Sequence, residues 1–137
     1  MDIFVLDACA YVAFLRKEQG FEKVVLLIEK ADNKATTIII HTATIAEVYY
    51  DFLRASGKLR ADNVLADTYK LPLKILSETT PELIQYIGYF KTHYKISFAD
   101  CFVLATAKIH NATVVTSDHH EFDAVEKNGD VSFEWIR

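Results

Sequence analysis

Three stretches of this chain are apolar or β-branched almost from end to end, yet too short to make a helix. They constrain the fold more than any other feature. Ile3–Leu6 reads Ile-Phe-Val-Leu, Thr36–His41 reads Thr-Thr-Ile-Ile-Ile-His, and Thr113–Thr116 reads Thr-Val-Val-Thr. Runs without regular polar alternation are what strands buried on both faces look like. The segments between them have helical spacing instead. Ala10–Lys17 reads as a helix broken by Gly20, and Phe21–Ala31 places Phe21, Val24, Val25 and Ile28 on one face. Ala43–Ala55 has an apolar stripe of Ile45, Val48, Tyr49 and Phe52, closed by Ser56-Gly57. Ala61–Lys70 continues helically, and Leu71–Leu76, around Pro72, reads as an edge strand. Thr80 followed by Pro81 is a cap with proline at the first helical position, starting a helix that runs to about His93. Ser97–His110 is a further helix and Val131–Ile136 a final strand. Buried strands alternating with helices predict an α/β fold: a three-layer sandwich with a mostly parallel sheet between helices.

The length of 137 residues suits a single domain spanning 1–137, and a composition 51% hydrophobic and 25% charged can bury a substantial core. There is no repeat, low-complexity stretch or Pro/Gly/Ser-rich linker. No apolar run approaches the roughly 20 residues that span a bilayer. Asp2 precedes a short apolar run with no basic leader, so no signal peptide is expected. Two cysteines, Cys9 and Cys101, do not make a disulfide framework, and the expected compartment is the reducing cytoplasm. The formal net charge is −4. Binding of nucleic acid through phosphate contacts alone normally shows a basic excess. If this chain handles RNA, a metal ion or a local basic patch has to supply the attraction.

Four acids stand in informative places. Asp7 directly follows the first buried run, and sites in open parallel sheets form beyond the carboxyl ends of strands. Asp7 could equally be the N-cap of the following helix. Asp118 repeats the pattern just beyond Thr116, and parallel strands bring both ends to the same edge. Asp100 is the only charged residue between Ser97 and Lys108, and its i+4 and i+7 neighbours are Leu104 and Ala107. An acid among apolar neighbours needs a partner, although a capping box with Ser97 would also explain it. Glu47 shares a helical stripe with Asp51 and Arg54, and its case rests on its place early in the helix after the second strand. Two carboxylates ~4 Å apart repel by about 4 kcal/mol at an effective dielectric near 20. Four at one edge therefore require a cation or shared protons, and all-oxygen ligation suits Mg²⁺ or Mn²⁺ rather than Zn²⁺.

These residues resemble the PIN-domain nucleases, particularly the VapC-type toxins of prokaryotic toxin–antitoxin pairs. The likeness spans nearly the whole chain. It lies in Leu6-Asp7-Ala8-Cys9, Thr44-Ile45-Ala46-Glu47, Ser97-Phe98-Ala99-Asp100 with Ala105 and Ala107, and Val115-Thr116-Ser117-Asp118. The resemblance implies a PIN-like fold and a metal-dependent endoribonuclease, commonly dimeric and inhibited by a cognate antitoxin. It places Asp7, Glu47, Asp100 and Asp118 in the catalytic, metal-holding site, with Ser97 and Thr116 as ordering hydroxyls. Two departures stand out. Ala8 removes a hydroxyl that many relatives carry after the first acid. The segment after the fourth acid, read as a loop, is His119-His120-Glu121-Phe122-Asp123, which leaves the roles of Glu121 and Asp123 open.

Other features carry less. His119, His120, Cys9 and Cys101 lack zinc-ligand spacing. Arg54, Lys58 and Arg60 form either a basic patch or a solvated face. Tyr49, Tyr50, Tyr86, Tyr89 and Phe90 make aromatic helices that are mostly core, any exposed remainder suiting a dimer or antitoxin interface. A haloacid-dehalogenase-type phosphatase needs a second Asp two positions after the first, where Cys9 stands. A phospho-receiver domain needs paired acids near the first strand. The remaining rival is a PIN-like module that is catalytically silent and binds RNA or protein.

Overall fold

The computed structural model describes residues 2–137. The strands are β1 (Ile3–Leu6), β2 (Thr37–His41), β3 (Lys74–Leu76), β4 (Thr113–Thr116) and β5 (Ser132–Trp135). They form one sheet in the order β3-β2-β1-β4-β5, and every pairing is parallel. The helices are α1 (Ala8–Arg16), α2 (Phe21–Asp32), α3 (Thr42–Ser56), α4 (Lys58–Thr68), α5 (Pro81–His93), α6 (Phe98–His110) and α7 (His119–Asn128). None among the described residues is long and apolar enough to cross a membrane.

The sheet is buried on both faces, as its apolar runs require. Val5 is in register with Ile39 and Val114, and these three join the core under α5, α6 and α7. Leu6, Ile38, Ile40 and Val115 point the other way and pack with α1, α2, α3 and α4. Burying each such side chain stabilises the fold by roughly 1.5–3 kcal/mol before chain entropy is set against it. The result is the expected three-layer α/β sandwich.

The structure departs from the sequence reading at several points, α4 for example starting at Lys58 rather than Ala61. Pro72 lies ahead of β3 rather than within it, because Leu73 N–H turns back to the Leu71 carbonyl (2.8 Å) and the strand starts only at Lys74. The first helix begins at Ala8, immediately after Asp7. The segment read as a loop after Asp118 is helix α7. Asp118 Oδ1 accepts from Glu121 N–H (3.1 Å), and Phe122 and Val125 are buried beneath the helix.

The segment after β5 returns to the α1–α2 turn. Ile136 N–H donates to the Thr116 carbonyl (3.0 Å), and Arg137 Nη1 to the Gln19 carbonyl (2.9 Å). Gly20 permits this approach: its φ is +93° and a Cβ there would run into the Ile136 carbonyl. Gly20→Ala is therefore expected to destabilise the protein by about 2 kcal/mol or more. A lower urea midpoint at unchanged m-value would show it, and an unchanged midpoint would contradict it.

Candidate active site

Parallel topology carries the two strand-end acids to one edge. Asp7 is one residue past β1, and its N–H extends the ladder to the Val115 carbonyl (3.1 Å). Asp118 is two residues past β4. Asp7 occupies the N-cap position of α1 with extended backbone (φ −80°, ψ 154°), but its side chain makes no capping bond. Its Oδ2 instead accepts from the Thr116 hydroxyl (2.7 Å), and the side chain is buried. The same Thr116 oxygen accepts from Asp118 N–H (3.0 Å), so one fully buried hydroxyl ties the two acids together. Thr116→Val strands that N–H and removes a donor from a buried carboxylate. The expected cost is about 1–3 kcal/mol, read as a lower denaturation midpoint, with Thr116→Ser retaining most of the stability.

Helix packing brings the other two acids. α6 packs against β1 and α3. Asp100 stands in the first turn of α6, where its N–H donates to Ser97 Oγ (3.1 Å). Ser97 is thus a true N-cap. Asp100 remains only 7% exposed. Glu47 lies in the second turn of α3 and is half-buried. Asp7, Glu47, Asp100 and Asp118 line one cleft of about 400 Å³ together with Cys9, Tyr50, Asp51 and Arg54.

The electrostatics follow from burial among like charges. Burial pushes the Asp7 carboxyl up to about 7; the charges of Asp100, Glu47 and Asp118 add to this, and the Thr116 hydrogen bond opposes it. Asp100 is raised to about 6, by burial first and then by Glu121 and Asp118, with hydrogen bonding to Ser97 working against them. Glu47 is also raised, by burial and then by Asp100, Asp51 and Asp118. Among the described residues none of these four acids has an ion-pair partner; the pairs that exist join Arg16 and Arg54 to Asp51, Lys58 to Asp62 and His119 to Asp123.

Glu121, whose role sequence reasoning left open, lies close to Asp100. Its Oε2 is buried without a hydrogen-bond partner, and its charge is the largest one raising Asp100. Asp123 points elsewhere, pairing with exposed His119 (2.8 Å). The signal was present in the spacing Asp118-His-His-Glu121, an N-cap followed by Glu at the third helical position, which also predicts the helix. Among the described residues no three acid, His or Cys side chains already stand close enough to chelate one ion. The site is a basin of coupled negative charge with an orphaned carboxylate oxygen beside it, and its all-oxygen donor set fits a hard divalent cation. The zinc alternative gains nothing: Cys101 is buried in the core, and Cys9 Sγ meets Ser117 Oγ at 2.9 Å.

The family model for the PIN domain matches residues 4–128. The chain belongs to the PIN domain family. Among solved structures, this PIN domain is similar to DNA-bound VapBC from Salmonella typhimurium, with 18% identity, a TM-score of 0.74 and 100% of each chain covered. It is similar to VapBC2 from Rickettsia felis bound to a promoter DNA fragment, with 21% identity, a TM-score of 0.72 and 96% and 97% covered. It is also similar to Mycobacterium tuberculosis VapC20, described as a sarcin-ricin loop cleaving toxin, with 16% identity, a TM-score of 0.69 and 90% and 95% covered. At such identities the shared property is the fold. A comparison with curated proteins gives no match.

Proposed function

We propose that this PIN domain, as a single domain over residues 1–137, is a Mg²⁺- or Mn²⁺-dependent endoribonuclease and the toxin of a toxin–antitoxin pair. The observation that carries this reading is the cleft itself. Asp7, Glu47, Asp100 and Asp118 share it, two of them are held well above the ordinary carboxylate range, and no cationic side chain pairs with any of them among the described residues. A fold does not stabilise itself by burying uncompensated charge, so the arrangement has the character of a site that awaits a cation.

Asp7, Asp100 and Asp118 would hold the ion, with the unpaired Glu121 oxygen as a further donor. A bound divalent cation supplies Lewis acidity, making water a better nucleophile and drawing charge from the phosphate. Glu47 would hold the ion through water or orient the attacking water, and its raised pKa makes it a better base for that proton. Ser97 and Thr116 order Asp100 and Asp7. The products are two RNA fragments, with the elements of water added across the broken P–O bond.

RNA as substrate is supported by the VapC20 likeness, and an antitoxin protein as partner by the two VapBC likenesses. Action in the cytoplasm and self-association as a dimer belong to the same reading, and sedimentation of the purified chain tests the latter. The deciding experiment incubates antitoxin-free protein with structured RNAs in Mg²⁺, Mn²⁺ or EDTA. Cleavage that requires the metal supports the reading. Absent metal binding with retained RNA or protein binding would replace it with the catalytically silent module.

A further inference from the structure

The cleft does not end at the acids. Its outer wall is the exposed side of α3, where Glu47, Tyr50, Asp51 and Arg54 follow one another at helical spacing, and all four line the same cavity. Glu47 to Arg54 is about 10.5 Å along the helix axis, so the stripe runs from the acidic basin out to solvent. Tyr50 is 61% exposed, an unusual place for a large aromatic ring on a cleft wall. The Arg54 guanidinium lies 5.7 Å from the centre of that ring. Asp51 holds the cation in place: Arg54 Nη2 reaches Asp51 Oδ1 at 2.5 Å, while Arg16 Nη1 approaches Asp51 Oδ2 at 3.5 Å. Asp51 therefore holds Arg54 at the mouth of the cleft that carries the four acids, while Arg16 meets the same carboxylate from outside the cleft lining. Arg54's bond to Asp51 uses Nη2, so the planar fork has further N–H donors for a phosphate. Glu18, in the α1–α2 turn and also lining the cleft, offsets part of this charge, which limits the site to local recognition rather than bulk attraction.

We propose that Tyr50 and Arg54 form a subsite for the nucleotide next to the scissile phosphate, the base stacking on the Tyr50 ring and its phosphate meeting Arg54. The inference rests on the ribonuclease reading, whose acids fix where the scissile phosphate lies. An exposed ring with an arginine beside it is the arrangement single-stranded nucleic acid uses for sequence-tolerant stacking. It also answers the charge problem: an acidic protein of net charge −4 gains its contact with RNA from one ring and one guanidinium at the cleft mouth.

The test is binding of a short single-stranded oligoribonucleotide carrying 2-aminopurine, in Ca²⁺, alongside cleavage kinetics in Mn²⁺. Tyr50→Leu is expected to weaken binding roughly ten-fold and to abolish the stacking quench of 2-aminopurine, while Tyr50→Phe retains both. Arg54→Gln is expected to reduce the salt dependence of binding by about one phosphate contact. Asp51→Asn releases Arg54 from its carboxylate and is expected to tighten binding, the opposite sign from damage to the fold. In cleavage, Tyr50→Leu raises KM more than it lowers kcat. Leu59→Ala, on α4 and 79% exposed, serves as the control and stays within about two-fold. Unchanged affinity in Tyr50→Leu and Arg54→Gln overturns the subsite and assigns the wall to a protein partner, even if RNA is cleaved. Binding that is sensitive to Tyr50 but without cleavage in Mg²⁺ or Mn²⁺ keeps Tyr50 and Arg54 as an RNA-binding contact and overturns the nuclease reading, and with it the place of that contact beside a scissile phosphate.

Discussion

Asp100→Asn is expected to lower metal-dependent RNA cleavage by about 10³-fold while leaving a folded protein. The substitution keeps the shape of the side chain and leaves untouched the backbone bond from residue 100 to Ser97 Oγ, so α6 retains its N-cap. What it removes is a formal charge from a buried position facing Asp7, Glu47 and Asp118. On the proposed reading, that charge is costly to the metal-free protein and useful only when a cation is present. The two consequences therefore have opposite signs: activity collapses, while stability without metal above pH 6 does not fall. Single-turnover cleavage in Mn²⁺ and urea unfolding in EDTA read them separately. Full activity in the variant would remove Asp100 from the site, and loss of both activity and stability would reduce its role to capping.

The second large effect is a pH dependence of stability that disappears in Asp7→Asn. An unfolded aspartate titrates near 3.9, whereas the folded Asp7 carboxyl titrates at about 7 because of burial and the charges around it. Between those values the folded state binds the extra proton, so the unfolding free energy falls as pH rises. The stabilisation is complete below about pH 4 and is lost as pH rises through about 7, an amplitude on the order of 4 kcal/mol. In EDTA, the wild type is thus less stable at pH 7.5 than at pH 5 by this mechanism. Asp7→Asn keeps an oxygen to accept from Thr116 Oγ, lacks the titration, and is expected to exceed the wild type by a few kcal/mol at pH 7.5. Added Mn²⁺ should close the gap by stabilising the wild type alone. A flat pH profile in the wild type, or a less stable Asp7→Asn, would show that Asp7 is not an uncompensated buried acid.

Much of this is legible in the amino-acid sequence. The buried runs ending at Leu6, His41 and Thr116 specified strands covered on both faces, because only a two-sided core accommodates residues such as Ile38, Ile39 and Ile40 in succession. Their alternation with helical stripes specified parallel pairing. Two strand-end acids then had to fall on one edge, and Asp100, set among apolar residues, had to face something other than water. Local signals also carried the Thr80 and Ser97 caps, both of which form.

Tertiary structure decided what depends on partners distant in sequence. Asp7 is adjacent to a helix start and could have capped it; Thr116, brought alongside by the β1–β4 pairing, captures the carboxylate instead. Glu121 looked like one acid in a polar loop, and only the α7 cap and the proximity of Asp100 make it part of the basin. Of the three basic residues near the α3–α4 junction, Lys58 is taken by Asp62 and Arg60 lies over Phe52, while Arg54 alone lines the cleft. Short-range periodicity and capping determine where strands and helices begin and which face is buried. The orientation of a carboxylate, and the charge it encounters, are set by contacts across more than a hundred residues of chain, which no local pattern encodes.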